Sequence, residues 1–140
     1  MYRILLLGHG NLATELLKSA ELIMGAQPAK SVYAIPLPLG KNMTEYKTEV
    51  DAFVSEAVKS GECLILADLA GGSPFITAAG IYRSYMEQEN VDVITGVNLT
   101  MLIEALSAQE YSTLAEVKRI VLEEGCAGIQ ALSSTLTAQQ

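Results

Sequence analysis

Basic residues are scarce in this chain: nine Lys and Arg stand against sixteen Asp and Glu, for a net charge of -7. Binding to a phosphate backbone or an anionic lipid surface requires a basic patch, so nucleic acid is not an expected partner. The two cysteines, Cys63 and Cys126, are far apart and lack C-x-x-C spacing. That spacing predicts buried, reduced thiols rather than a disulfide or a metal site. No apolar run approaches the roughly 18 to 20 residues needed to cross a bilayer. Residues 4–7 are also too short a run for a signal peptide, and a cytoplasmic protein is expected. Linkers, internal repeats and low-complexity segments are absent too, so residues 1–140 are expected to form one domain, with 133–140 a loose polar tail. Histidine occurs once, at position 9.

What is plentiful is apolar surface: 50% of the residues are hydrophobic and only 18% are charged. This points to a broad core or a buried oligomer interface. Residues 4–7 form a short apolar run ending at Gly8, the pattern of a parallel strand buried on both faces. The period then changes, with Leu12, Leu16, Leu17, Ala20 and Ile23 on one helical face, Asn11 available as a cap and Gly25 as a terminator. Residues 31–37 predict a second strand, followed by a loop over Pro36 to Gly40. Asn42 and Glu45 open a second helix that should stop near Gly61.

Residues 63–67 predict a third strand. Ser73 as N-cap with Pro74 at the first helical position would start a third helix running to about Gln88. A fourth strand over 91–95, a helix over 100–108 and a last helix opened by Thr113 and Glu116 and ending near Gly125 follow. Residues 128–132 suggest an edge strand. The alternation predicts an α/β fold, a three-layer sandwich with a mostly parallel central sheet and right-handed crossovers. Sites in such folds lie beyond the carboxyl ends of the strands. His9 and the segment from Asp68 to Ser73 are therefore expected at one edge.

Gly8-His9-Gly10-Asn11-Leu12-Ala13 matches the G-x-G-x-x-G/A turn of dinucleotide-binding folds. The acid that would hold a ribose at the end of strand two is missing, since Pro36-Leu37-Pro38 occupies that point and Glu45 is the nearest acid downstream. A second reading uses His9 itself. An imidazole at a strand-to-helix turn lies near unpaired N–H groups that welcome an anion, and a carboxylate on one ring nitrogen would leave the other as a nucleophile. Asp68 is the candidate carboxylate. Gly10, Gly71, Gly72 and Ser73 supply permissive backbone, a second helix start and a hydroxyl suited to phosphate oxygens. A Ser-His-Asp hydrolase triad with Ser73 as nucleophile lacks the G-x-S-x-G elbow. No metal-ligand cluster and no cofactor is expected.

Three stretches, LLLGHGNLATELLKSAELIMG, LILADLAGGSPFITAA and VITGVNLTMLIEAL, occur in the right order and spacing to identify a relative. Together they resemble the IIA components of the mannose-type (mannose–fructose–sorbose) family of the bacterial phosphoenolpyruvate-dependent sugar phosphotransferase system, or PTS. The resemblance implies that the phosphocarrier protein HPr hands a phosphoryl group to His9, which passes it to a IIB component feeding a membrane permease. It also implies that Asp68 orients His9, and that Ser73 with Gly71 and Gly72 contacts the phosphate. The family fold pairs as a homodimer with an exchanged C-terminal strand, which would be residues 128–132 here. Ala70 and Ile76 depart from the bulky residue and the asparagine common in the family, and they alter the surface around His9. A regulatory phosphohistidine domain and a nucleotide-binding module built on the glycine turn are the alternatives.

Overall fold

A computed structural model describes residues 1–138. Among the described residues, β1 (Tyr2–His9), β2 (Val32–Leu37), β3 (Glu62–Ala67) and β4 (Val91–Ile94) form one parallel sheet in the order β2-β1-β3-β4. The helices are α1 (Leu12–Met24), α2 (Met43–Ser60), α3 (Gly72–Arg83), α4 (Leu99–Ser107), α5 (Leu114–Ala127) and α6 (Leu132–Ala138).

The strands read as unbroken apolar runs because the sheet is covered on both faces. Ile4, Leu6, Leu64 and Leu66 meet Ala20, Leu102, Val117 and Val121 in the layer made by α1, α4 and α5. Their neighbours Leu5, Leu7 and Ile65 point the other way, toward Tyr46, Val50, Val54 and Ala78 of α2 and α3. This alternation within a hydrophobic strand yields the expected three layers. The chain adds β2 on one side of β1 and then β3 on the other, so the connections leaving β1 and β3 run in opposite directions and leave a crevice at the carboxyl ends of those two strands.

Two polar clips tie the first layer together. The Tyr2 hydroxyl donates to Ala105 O at 2.6 Å, and buried Gln109 donates from Nε2 to Tyr2 O and Ser31 O at 2.9 and 2.8 Å. A capping box at Thr113 and Glu116 starts α5, and the Asn42 side chain accepts from Glu45 N to start α2, as expected.

Several boundaries differ from expectation. Asn11 precedes α1, but its side chain makes no cap hydrogen bond. The turn there is held by backbone instead, through Gly10 N to Leu37 O at 2.8 Å and Leu37 N to Gly10 O at 3.0 Å. Leu12 and Ile23 are exposed, since α1 approaches the sheet through Ala13 and Ala20 and its buried stripe is narrow. Pro36 lies inside β2, opposite Gly8, because β2 is an edge strand whose outer side needs no donor. Helix α3 stops at Arg83, and a separate 3-10 turn covers Met86–Gln88. Helix α5 runs through Gly125 to Ala127. Cys63 is buried, and desolvation pushes its thiol up to about 12, but Cys126 is exposed on α5, contrary to expectation.

The C-terminus is the main correction to the fold. Residues 128–131 form no strand, and residues 132–138, expected as the end of that strand and a loose tail, form α6. A strand needs a neighbouring edge to pair with, whereas a helix closes its own hydrogen bonds, and the chain by itself takes the helix. The last two residues of the expected tail, 139 and 140, lie outside the described residues. Among the described residues, no helix is long and apolar enough to cross a membrane.

Candidate functional site

His9 is the last residue of β1 and Asp68 follows directly after β3. Because the two strands are hydrogen-bonded neighbours, with Leu7 opposite Ala67, Asp68 emerges beside Gly8, one residue before His9, and its side chain can reach both the backbone and the ring of His9 at the crevice. Asp68 N also donates to Leu7 O at 3.2 Å, which holds the two exits together. The Asp68 side chain is only 7% exposed, while that of His9 is 51% exposed.

One carboxylate oxygen holds the histidine twice. Asp68 Oδ2 accepts from His9 N at 2.9 Å and lies 2.7 Å from His9 Nδ1. The other oxygen, Oδ1, accepts from Leu69 N at 2.9 Å. Burial pulls the Asp68 carboxyl upward, but the His9 backbone N–H, the His9 ring and the Leu69 N–H outweigh it and set it below its ordinary value. An ionised carboxylate can only accept, so the hydrogen in the short contact sits on Nδ1 and the lone pair of the neutral ring is on Nε2.

That free nitrogen faces the start of α3. A Cβ added at Gly72 would lie 3.0 Å from His9 Cε1 and 3.3 Å from Nε2, so any side chain there would press on the ring. Gly72 also has φ +76° and Gly71 φ +91°, both in the left-handed region. These two residues turn the chain so sharply that Gly71 takes the N-cap position and no side chain caps the helix. The first-turn N–H groups are thereby left open to an anion beside Nε2.

Ser73 was expected as that cap and instead sits in the first turn of α3. Its side chain lines a hollow between α2 and α3 with Met43, Lys47 and Ile76, and among the described residues no hydrogen bond joins it to His9. His9 is thus bonded to Asp68 and has its ring beside Gly72, Gly10 shapes the turn with φ +58°, and Gly71 and Ser73 flank Gly72.

Residues of the β2–α2 segment were missed by sequence reasoning. A second hollow, of about 420 Å3, is lined by His9, Leu37, Leu39, Lys41 and Met43. Lys41 is held by Glu49 at 2.7 Å and by Glu45 at 3.9 Å. The available signal was the predicted start of α2, which places its first turn at the same sheet edge as His9.

The sequence matches the family model described as PTS system fructose IIA component over residues 3–122. It is 33% identical over 127 residues to the PTS system mannose-specific EIIAB component of Escherichia coli, a match that covers 90% of this chain and 38% of that protein. The chain thus spans well under half the length of that relative. The PTS system fructose-specific EIIA component of Bacillus subtilis is 27% identical over 117 residues, covering 84% of this chain and 77% of the relative. Among solved structures, phosphotransferase system component EIIA from Streptococcus agalactiae superposes with a TM-score of 0.85 at 28% identity. That match covers 96% of this chain and 99% of the other.

Proposed function

The chain belongs to the family of PTS system fructose IIA components, and from that premise we propose that it is a phosphoryl carrier in sugar uptake with His9 as the residue that carries the group. The observation that carries this reading is the 2.7 Å contact between His9 Nδ1 and Asp68 Oδ2, which leaves Nε2 free beside the open start of α3.

Phosphorylated HPr docks with its phosphohistidine facing His9. The Nε2 lone pair forms a new N–P bond as the donor's N–P bond breaks and the donor nitrogen keeps the bonding pair. The His9 ring, with hydrogen on Nδ1 and phosphorus on Nε2, now bears a positive charge, and the Asp68 carboxylate stabilises it. Peptide N–H groups of Gly72 and Ser73 hold the phosphoryl oxygens. The reverse step hands the group to a IIB component, which supplies the membrane permease on the cytoplasmic side. Exchange between two imidazoles needs positioning and charge stabilisation more than covalent help.

Two further parts of the reading go with this one. Residues 1–138 act as one domain, and two copies pair as a homodimer; Ile129, Leu132 and Leu136 expose apolar side chains that pairing would cover. The nucleotide-binding alternative is disfavoured, since the hollow at the end of β2 is lined by Leu37, Pro38, Leu39 and Met43 without a carboxylate to hold a ribose.

The test is a label-and-chase experiment with phosphoenolpyruvate, enzyme I, HPr and a purified mannose-type IIB component. Label should appear on this protein only when HPr is present and should leave it when IIB is added. Label that HPr delivers but IIB cannot remove would point to the regulatory alternative.

A further inference from the structure

The hollow between α2 and α3 holds a charged group that the transfer mechanism above does not use. It has a volume of about 410 Å3, and Ser73, Met43, Ile76 and Lys47 are among the residues that line it. Ser73 follows Gly72, the residue packed against His9 Nε2. Lys47 is one helical turn beyond Met43, and helical side chains tilt toward the N-terminus of their helix. The N-terminus of α2 is at the carboxyl edge of the sheet, so the Lys47 stem leans toward the edge that carries His9.

The other basic residues are committed or distant. Lys18, Lys41, Lys59, Lys118 and Arg119 each pair with a carboxylate. Arg3 is the second residue of β1, Lys30 lies two residues before β2, and Arg83 ends α3, all at the opposite edge of the sheet. Among the described residues, no carboxylate lies within ion-pair distance of Lys47. A phosphoryl group on Nε2 would add about two negative charges near the Asp68 carboxylate, in a chain already at -7.

Building on the carrier reading, we infer that Lys47 is the counter-charge of the phosphoryl group, its ammonium reaching the phosphoryl oxygens across Ser73. Lys47 stabilises both the incoming group and the phosphorylated state, and it does so as a mobile cation rather than as part of the fold.

Phosphoramidate tests this without a protein partner. Its P–N bond breaks, the nitrogen leaves as ammonia with the bonding pair, and Nε2 supplies the pair for the new N–P bond. Wild type, Lys47→Gln and Lys47→Arg are followed by intact mass, and the titration of the phosphoryl group is followed by its phosphorus resonance. Lys47→Gln should accept phosphate about fivefold more slowly, with the phosphoryl titration midpoint moved to higher pH, while Lys47→Arg stays close to wild type on both. A midpoint that does not move in Lys47→Gln overturns the role of Lys47 whatever the rate does, and leaves His9 as the carrier. Absence of label on folded wild type overturns the carrier reading and this one with it.

Discussion

Asp68 Oδ2 meets His9 at two atoms, the backbone nitrogen at 2.9 Å and ring Nδ1 at 2.7 Å. The backbone bond fixes where the residue is, and the ring bond fixes which nitrogen is free. Both depend on one carboxylate that is itself nearly buried, with its other oxygen on Leu69 N.

Replacing Asp68 with Asn should therefore separate position from charge. The amide can still accept from His9, but it cannot neutralise a phosphorylated ring. Losing a charge-assisted contact of about 1.5 to 3 kcal/mol predicts transfer slower by about 10- to 150-fold. Rapid-quench measurement of phosphoryl acceptance checks this, and an unchanged rate would remove Asp68 from the mechanism.

The same pair makes stability depend on pH. The folded Asp68 carboxyl lies below its ordinary value, so its stabilisation is complete above the unfolded value of about 3.9 and is lost as pH falls through the lower, folded value. Urea midpoints measured at pH 7 and pH 3 should fall further for wild type than for Asp68→Asn. Equal losses would show that the pair does not contribute to folding.

Gly72→Ala places a methyl group against the ring. The left-handed backbone adds about 1–2 kcal/mol of strain, and the Cβ, 3.0 Å from His9 Cε1, pushes the imidazole off Asp68. Transfer should drop much more than the melting temperature does. A variant that transfers normally would mean that the ring has room to move.

Tyr46 and Gln109 give opposite expectations for two buried polar groups. The Tyr46 hydroxyl is fully buried with no hydrogen-bond partner, and burial together with the Asp68 and Glu49 charges raises its pKa. Tyr46→Phe should leave stability unchanged or slightly higher. Gln109→Leu removes the donor shared by Tyr2 O and Ser31 O and should cost about 1–3 kcal/mol. Chemical denaturation of both variants decides.

The strands and the pairing of His9 with Asp68 were legible because they follow from local signals: continuous apolar runs, and a polar residue at the carboxyl end of each of two central parallel strands. Ser73 was misplaced because Gly71 and Gly72 both adopt left-handed conformations, and a sequence shows only that glycine permits this. The C-terminal segment misled because Gly128 to Leu132 has too few residues for either periodicity to decide between strand and helix. Lys47 was not singled out, since its nearness to Ser73 depends on how α2 packs beside α3. That is a matter of tertiary contact, which residue spacing does not encode.

The central claim, that His9 carries the phosphoryl group, is most directly tested by intact-protein mass after incubation with phosphoenolpyruvate, enzyme I and HPr, for wild type and His9→Ala. One acid-labile phosphate on wild type and none on the folded variant is the expected result. Stoichiometric label on His9→Ala, or none on wild type, would refute it.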